Sequence, residues 1–469
     1  MRDVYIVGIH TTKFGKYLDQ GVKDLTATTV QGSLKDATVE KEALQSAHFS
    51  NCLWGQAEYQ HCIRGQVALR PIGIDSIPIT NVENACASAS TAFHGAFKDI
   101  ASGLYDVSLA VGAEKLYDTN KYSVFAGFLS ATDVSSATAD ARRFSENMPE
   151  DDGAAEATGQ PAPKKAKKKG KSIKDRMTEV RDMAAVGVQL GETLGYDQLR
   201  EIVSITFGGG SKDKSGKKRG GDHSPFMDIY AYKAREHMQK YGSTQAQLAA
   251  IASKSHWHSS MNPNAQYTFE VSVEDVLNDR VIAPPLTRGM CAPIGDGAAS
   301  AVLMSEDAVK RHGLSDRAIK VRASILGSGR DRGLDEPDIG ERLSKVAYER
   351  AGLGPEDIDF VELHDATAFG EMHQTEALGF FDKGTGGLRA EAGDTRLGGK
   401  IPVNTSGGLV SRGHPIGASG LAQMHELVTQ LRGEAGARQV EGARIGMAEN
   451  GGGALGEEEA AMCIHIFEK

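Results

Sequence analysis

Residues 81–97 read NVENACASASTAFHGAF, with one cysteine, Cys86, followed by six residues that are all Ala, Ser or Thr. From 88 to 104 apolar side chains recur every three or four residues, which predicts a helix. Cys86 then lies where a helix begins. The unpaired N–H groups there favour a thiolate, so we expect a lowered thiol pKa and a nucleophilic cysteine. The alternative is an inert, buried cysteine, which is the common role of a free thiol.

The segments around this helix predict an α/β fold. Strand patterns at 3–10 and 107–115 enclose the helix, and this order predicts a βαβ unit on a mainly parallel sheet. A similar alternation returns after residue 317, which indicates a loose duplication into two α/β halves. Its segments are strands at 357–365, 443–453 and 458–468 and helices at 366–380 and 416–433.

A long insertion separates the two halves. Residues 147–172 pass from acidic residues, Pro and Ala into a run of lysines, and residues 208–223 are rich in Gly and Lys. Such low-complexity segments are typical of solvated or disordered chain. Helical patterns at 173–203 and 229–262 lie between and after them.

Composition limits the class of protein. The chain has 469 residues and a net charge of −9, which predicts two or three domains and argues against a nucleic-acid partner. Its five cysteines form neither a disulfide framework nor a CxxC zinc site. The sequence shows no signal peptide and no apolar run long enough for a bilayer, so we expect a cytoplasmic protein without a membrane segment.

Two histidines accompany Cys86. HDATAF places His364 at the carboxyl end of a predicted strand, and GGLVSRGHPIGASG places His414 in a Gly-rich turn before a helix. One is suited to deprotonating Cys86 and the other to holding a thioester oxygen. A further pair, the HWH of residues 256–258, projects from different helix faces, so we expect structural roles for it.

Five motifs together resemble the thiolase superfamily, most closely its sterol-carrier-protein-type and archaeal-type members. They are NVENACASASTAFHGAF, CAPIGDGAAS, HDATAF, NTSGGLVSRGHPIGASG and ENGGGALGEEEAAM. The resemblance implies a thiolase fold of duplicated, five-layered αβαβα halves with a long loop-domain insertion. The N-terminal half would span 1–125, completed by about 285–312, the loop domain 126–284 and the C-terminal half 313–469.

The same resemblance implies roles for individual residues. Cys86 matches the nucleophile that takes up the acyl group, His414 the base that activates it, and His364 the group that binds the thioester oxygen. Gly451, Gly452 and Gly453 match the loop whose N–H groups hold the acyl-enzyme oxyanion. Coenzyme A would be a co-substrate, with no permanently bound cofactor and no metal.

The chain departs from the family at the second acid/base. The Cys-x-Gly cysteine is missing from AENGGG, and Ala366 replaces the cysteine of the HDCF motif. Glu449, Cys291 and His364 itself are the candidates to replace it. This gap keeps two alternatives open, a retro-aldol lyase acting on a CoA thioester and a non-catalytic scaffold subunit.

The leading hypothesis is thiolytic cleavage of a 3-oxoacyl-CoA, or the reverse Claisen condensation, through an acyl-cysteine. A bulky aromatic or steroid-like acyl chain is as plausible as acetoacetyl-CoA. The resemblance also implies a homodimer or tetramer, and in this branch a small partner subunit with a zinc ribbon and an OB-fold. Lysines of the insertion, Lys164, Lys165 and Lys167–Lys169, are candidates to meet the phosphates of coenzyme A.

Overall fold

The computed structural model describes residues 1–117, 124, 127–136, 224–333 and 335–469. The strands in these ranges are β1 Val4–Thr11, β2 Ser46–Ser50, β3 Ile79–Val82, β4 Val107–Glu114, β5 Val281–Ala283, β6 Leu286–Thr287, β7 Gly297–Ser305, β8 Ile319–Ser328, β9 Phe360–Glu362, β10 Ile445–Gly452 and β11 Ala461–Glu468. The α-helices are α1 Val22–Ala37, α2 Trp54–Glu58, α3 Arg64–Leu69, α4 Ser88–Ala101, α5 Pro225–Tyr241, α6 Gln245–Ser260, α7 Val273–Leu277, α8 Glu306–His312, α9 Ile339–Ala351, α10 Ala368–Ala377, α11 Gly386–Glu391, α12 Gly408–Arg412 and α13 Ser419–Arg432.

Nine strands form one mixed sheet in the order β3-β2-β4-β7-β1-β8-β11-β10-β9. Only β2 with its two neighbours and β9 with β10 run parallel, so the expected mainly parallel sheet is wrong for the described strands. Strands that follow closely in sequence, such as β10 and β11, pair antiparallel because a short connection reverses the chain. The two halves of the sheet meet at β1 and β8, where two residue pairs join them.

The helices and the two halves of the sheet stack in five layers. Helix α1 covers one face of the N-terminal strands, and α9 covers the outer face of β8 and β11. Helices α4 and α13 lie between the halves and contact strands of both. One buried apolar cluster surrounds this central layer, and a separate cluster lies under each outer layer. This confirms the duplicated, layered α/β architecture that the resemblance implies.

The small residues after Cys86 let α4 pack closely in the central layer. Ser90, Ala92 and Ala96 are fully buried, and a Cβ at Gly420 of α13 would overlap the Ser90 hydroxyl. Phe93, also fully buried, supplies the apolar bulk, worth about 1.5–3 kcal/mol for a side chain of its kind. Helices α4 and α13 therefore meet at their N-terminal ends, and this places Cys86 near the turn before α13.

The predicted helix at 229–262 forms two helices. Gly242, with φ +76°, ends α5 in the left-handed conformation, and Thr244 caps α6 by accepting the Gln247 N–H. Helix α6 packs against α7, α10, α11 and α12. The expectations for 147–172, 173–203 and 208–223, with their lysines, lie outside the described residues. No helix in the described ranges is both long and apolar enough to cross a membrane.

Candidate active site

A strained turn presents Cys86. Ala85 has φ +47°, a left-handed conformation that costs a non-glycine residue about 1–2 kcal/mol. The hydroxyl of Ser88 donates to the Ala85 carbonyl at 2.6 Å, and the Ala87 N–H donates to the Asn84 carbonyl at 3.0 Å. These bonds hold the turn, and α4 begins two residues after the cysteine. The side chain of Cys86 therefore sits at a fixed position at the helix N-terminus.

His414 is aimed at this thiol. Its Nε2 lies 3.3 Å from Cys86 Sγ, and its Nδ1 lies 2.7 Å from the Ser419 hydroxyl oxygen. The Ser419 hydroxyl donates its proton to the Pro415 carbonyl at 3.0 Å, so Nδ1 must be the donor in the imidazole–serine bond. The lone pair of Nε2 then faces the thiol. His414 is thereby arranged as a base for Cys86.

The thiol and this base are both neutral at rest. Burial raises the pKa of the Cys86 thiol to about 12, although a hydrogen bond from the Gly453 N–H opposes the rise. Burial also lowers the pKa of His414 well below 6.5, and the neighbouring His364 ring and the Arg412 charge lower it further. The expected lowering of the Cys86 pKa is therefore wrong, because desolvation outweighs the helix terminus. In this arrangement, His414 Nε2 is the atom placed to accept the thiol proton.

His364 completes the group from the far half of the chain. It follows β9, and its ring meets the His414 ring edge-on with centroids 5.2 Å apart. Its Nδ1 lies 2.9 Å from Asn450 Nδ2. Burial lowers the pKa of His364 to about 3, so the ring is neutral. The buried Asp365 carboxylate accepts the Leu409 N–H at 2.6 Å and ties the HDATAF turn to the segment before His414.

Two of the three glycines, Gly452 and Gly453, lie against the cysteine turn. A Cβ at Gly452 would overlap the Asn84 carbonyl oxygen and the Ala87 nitrogen, so β10 approaches the turn through glycine alone. Gly453 takes φ +68° and directs its N–H to the sulfur. The backbone at the end of β10 therefore reaches the Cys86 sulfur without an intervening side chain.

Glu449 and Cys291 occupy different positions relative to this group. Glu449 is fully buried, is absent from the cavity wall, and accepts the His364 backbone N–H at 3.0 Å. Burial raises the pKa of its carboxyl to about 8. Cys291 does line the cavity, and the next residue, Ala292, donates its N–H to the Ala366 carbonyl at 3.0 Å. Cys291 thus lies beside the position where the HDCF cysteine is missing.

One cavity of about 1110 Å³ joins these side chains. Its wall includes Cys86, His364, His414, Cys291 and the glycines at 451–453. Aromatic side chains line another part of it: Phe128, Phe226, Tyr230, Tyr267 and Phe269. The structure therefore brings the sequence-predicted residues together in one space, with Glu449 directly behind it.

Glu114 is a buried residue near the site that the sequence analysis missed. Its carboxylate accepts the backbone N–H groups of Cys52 at 2.9 Å, Leu53 at 3.1 Å and Gly417 at 3.0 Å. It thereby joins the loop beside the cysteine turn to the turn after His414. The sequence did contain a signal for Glu114: it is the one charged residue of the strand VSLAVGAE and stands at its end.

The side chains of Cys86, His364 and His414 form a group whose donor atoms can bind a metal ion. The ligand atoms of Cys86, His364 and His414 lie within 4.8 Å of one another, and zinc accepts this donor set. Zinc binding would need a lone pair on His364 Nε2. The HWH histidines are buried and do not belong to this group. His258 Nδ1 bonds the Asn404 carbonyl at 3.0 Å, and His256, which lines the same cavity, stacks on Tyr267.

Comparisons with known proteins point to one family. The family model of the thiolase N-terminal domain matches residues 4–160, and that of the thiolase C-terminal domain matches residues 340–465. An acetyl-CoA acetyltransferase of Methanothermobacter thermautotrophicus is 34% identical, with 100% of each chain covered. The benzoylsuccinyl-CoA thiolase subunit BbsB of Thauera aromatica is 31% identical over 96% of this chain and 95% of its own.

Solved structures share the fold at lower identity. Human mitochondrial 3-ketoacyl-CoA thiolase superposes with a TM-score of 0.61 at 16% identity, covering 100% of this chain and 99% of its own. An Ltp2-ChsH2(DUF35) aldolase superposes with a TM-score of 0.66 at 18% identity, covering 99% and 97%. The family models and the full-length relatives show that this chain belongs to the thiolase family of acyltransferases.

Proposed function

We propose that the chain cleaves a 3-oxoacyl-CoA with coenzyme A, or runs the reverse Claisen condensation, through an acyl-cysteine at Cys86. His414 takes the thiol proton, and the thiolate attacks the 3-keto carbon. The bond between C2 and C3 breaks, its electron pair passes to C2, and C2 takes a proton to release an acyl-CoA. A second coenzyme A thiolate then attacks the acyl-cysteine thioester, takes up the acyl group and frees Cys86.

The observation that carries this proposal is the 3.3 Å approach of His414 Nε2 to Cys86 Sγ. His364 and the glycines at 451–453 line the same cavity and supply donors for the two oxyanions, one on the substrate thioester and one on the acyl-enzyme. Intact nucleophile, base and donors argue against a scaffold role, because a scaffold needs none of them.

Coenzyme A and a large acyl group fit the cavity chemistry. Lys16, Arg280 and Arg288 are exposed cations on its wall and suit the phosphates of coenzyme A. The volume of about 1110 Å³ and the aromatic wall leave room for more than an acetoacetyl chain. A solved relative in complex with CoA and the benzoylsuccinyl-CoA thiolase subunit support this substrate class. We infer an aromatic or similarly bulky 3-oxoacyl-CoA.

The proposal includes association with other subunits. Strand β3 is an edge strand of the described sheet, and its central residues Thr80 and Asn81 are exposed, so a second copy can extend the sheet there. The neighbour that contains a DUF35 component supports a small partner subunit. We therefore propose a homo-oligomer that also binds such a partner.

Steady-state turnover of two substrate classes tests the reaction. Wild type and Cys86→Ser are assayed with a panel of 3-oxoacyl-CoA thioesters plus coenzyme A, and with 3-hydroxyacyl-CoA thioesters without it. We expect CoA-dependent cleavage of a 3-oxo substrate that falls at least about 10³-fold in Cys86→Ser. Cleavage of a 3-hydroxy substrate that survives in Cys86→Ser would instead establish the retro-aldol lyase.

A further inference from the structure

Asn450 links His364 to a residue on the opposite helix. Its Nδ2 lies 2.9 Å from His364 Nδ1, and its Oδ1 lies 2.8 Å from the Ser90 hydroxyl on α4. Asn450 and Ser90 are fully buried. A Cβ at Gly420 would overlap both Ser90 Oγ and Asn450 Oδ1, so α13 closes directly over this pair. The three side chains form a hydrogen-bonded chain held in dry, close packing.

The direction of these bonds is fixed by the serine. Within the described residues, Asn450 Oδ1 is the one acceptor found for the Ser90 hydroxyl. The amide oxygen must therefore face Ser90, and the amide NH₂ must face the imidazole. An amide NH₂ donates and does not accept, so His364 Nδ1 accepts and carries no proton. In a neutral ring the proton then lies on Nε2.

The two active-site histidines therefore carry their protons on opposite ring nitrogens, His414 on Nδ1 and His364 on Nε2. Ser419 leaves the Nε2 lone pair of His414 free to act as a base. We propose that Asn450, oriented by Ser90, is a positioning residue that holds His364 with its proton on Nε2, where it donates a hydrogen bond to the substrate thioester oxygen. The same proton occupies the position that a zinc ion bound by Cys86 and His414 would need. The catalytic part of this role rests on the thiolase reaction proposed above, whereas the proton position does not.

Two variants test the role. In Asn450→Asp a carboxylate faces Nδ1, accepts a proton from it and leaves a lone pair on Nε2. In Ser90→Ala the amide loses the partner that orients it, with little change in volume. We expect kcat for thioester cleavage to fall about 10²–10³-fold in Asn450→Asp, the cost of removing one oxyanion donor, and less in Ser90→Ala. KM and the rate of Cys86 alkylation by iodoacetamide should change little, because the Cys86–His414 pair is intact.

Nitrogen-15 spectra of histidine-labelled protein read the proton position directly. The signals of His364 are assigned by their loss in His364→Gln. Wild type should show a protonated Nε2, and Asn450→Asp a protonated Nδ1. A wild-type protein with the proton on Nδ1 overturns the proposal, as does unchanged kcat in Asn450→Asp. If Asn450→Asp does not fold, the wild-type spectrum and kcat of Ser90→Ala decide. An inactive wild type with a protonated Nε2 would refute the proposed function alone.

Discussion

Ser419 determines how His414 presents itself to Cys86. Its hydroxyl proton is committed to the Pro415 carbonyl, so its oxygen accepts from His414 Nδ1. An imidazole without this partner can carry its proton on either nitrogen, and in one of the two forms it cannot accept the thiol proton. The reactivity of Cys86 is therefore expected to depend on Ser419, a buried residue that is absent from the cavity wall.

Replacing Ser419 by Ala should slow the reaction of Cys86. We expect the alkylation rate with iodoacetamide at neutral pH to fall roughly tenfold or more, since base catalysis of this kind is worth about 10²–10⁴-fold. Thr429→Ala is the matched control, because Thr429 donates to the His425 carbonyl on the same helix and is absent from the cavity wall. Equal alkylation rates in Ser419→Ala and wild type would contradict this role.

Cys291 is the sequence-derived candidate whose thiol lines the cavity, so we propose it as the second proton carrier. Burial raises the pKa of this thiol to about 12, so the thiol is protonated at neutral pH and can give C2 its proton after the C2–C3 bond breaks. The thiolate left behind removes a C2 proton in the reverse direction. Cys291→Ala should then lose about 10²-fold or more of the exchange of acetyl-CoA C2 protons with D₂O, followed by mass spectrometry. In the same variant, acetyl-CoA should still acetylate Cys86.

The exposed Cys62 offers the matched control for this exchange, since Cys62→Ala removes a thiol away from the cavity. Exchange at the wild-type rate in Cys291→Ala would exclude Cys291. Tyr230 and Glu459, which also line the cavity, would then be the groups to test.

Strand β10 supplies both a positioning residue and a buried acid. Asn450 and Glu449 follow one another, so their side chains point to opposite faces of the sheet. Asn450 reaches the His364 ring, and Glu449 reaches the His364 backbone. The Glu449 carboxyl has a pKa near 8 in the folded chain, so it is protonated at neutral pH when folded and ionised when unfolded.

Glu449 should therefore make stability depend on pH. Its contribution is fully present below pH about 4.5 and is lost as pH rises through 8, by at most about 1.4 kcal/mol per pH unit. Urea unfolding of wild type and Glu449→Gln between pH 5 and 8.5 measures this. The stability of wild type relative to the variant should fall as pH rises. A constant difference would show that Glu449 does not titrate in this range.

Sequence patterns identified the helices and strands more reliably than the way in which the strands pair. The helix after Cys86 and the strand at the carboxyl terminus follow from periodicity. The direction of strand pairing does not, because periodicity reports burial and not which strand lies alongside. The mixed sheet was missed for this reason.

The candidate residues Cys86, His364 and His414 could be selected from the sequence because each lies within a short motif, and the structure brings them together. Their supporting groups could not, since Asn450 meets Ser90 across 360 residues of sequence and Glu114 meets Gly417 across 303. The effect of burial on the Cys86 pKa was equally unreadable, because it depends on how completely the fold covers the thiol.

At the scale of the whole molecule, a buried ion pair joins α6 to the C-terminal half. Lys254 of α6 bonds Glu371 of α10, and both are almost fully buried. Glu371 also accepts from Asn404 at 3.0 Å, and Asn404 in turn accepts the Leu363 N–H at 2.7 Å, next to His364. The position of α6 and the position of the HDATAF turn are therefore coupled.

Breaking this pair on one side should be costly. Glu371→Gln leaves a buried ammonium unpaired, and we expect a loss of about 3–5 kcal/mol in unfolding free energy, measured by urea unfolding. The exposed pair of Glu306 and Lys310 on α8 is the matched control, since Glu306→Gln should change stability by less than about 1 kcal/mol. Equal effects of the two substitutions would contradict the coupling.

The central claim is that Cys86 carries the acyl group, and intact-protein mass spectrometry tests it most directly. Wild type and Cys86→Ser are exposed briefly to a panel of 3-oxoacyl-CoA thioesters without free coenzyme A. We expect an adduct with the mass of one acyl group on wild type alone, released by added coenzyme A. Cleavage of these thioesters with no adduct on wild type, or the same adduct on Cys86→Ser, would contradict the acyl-cysteine mechanism.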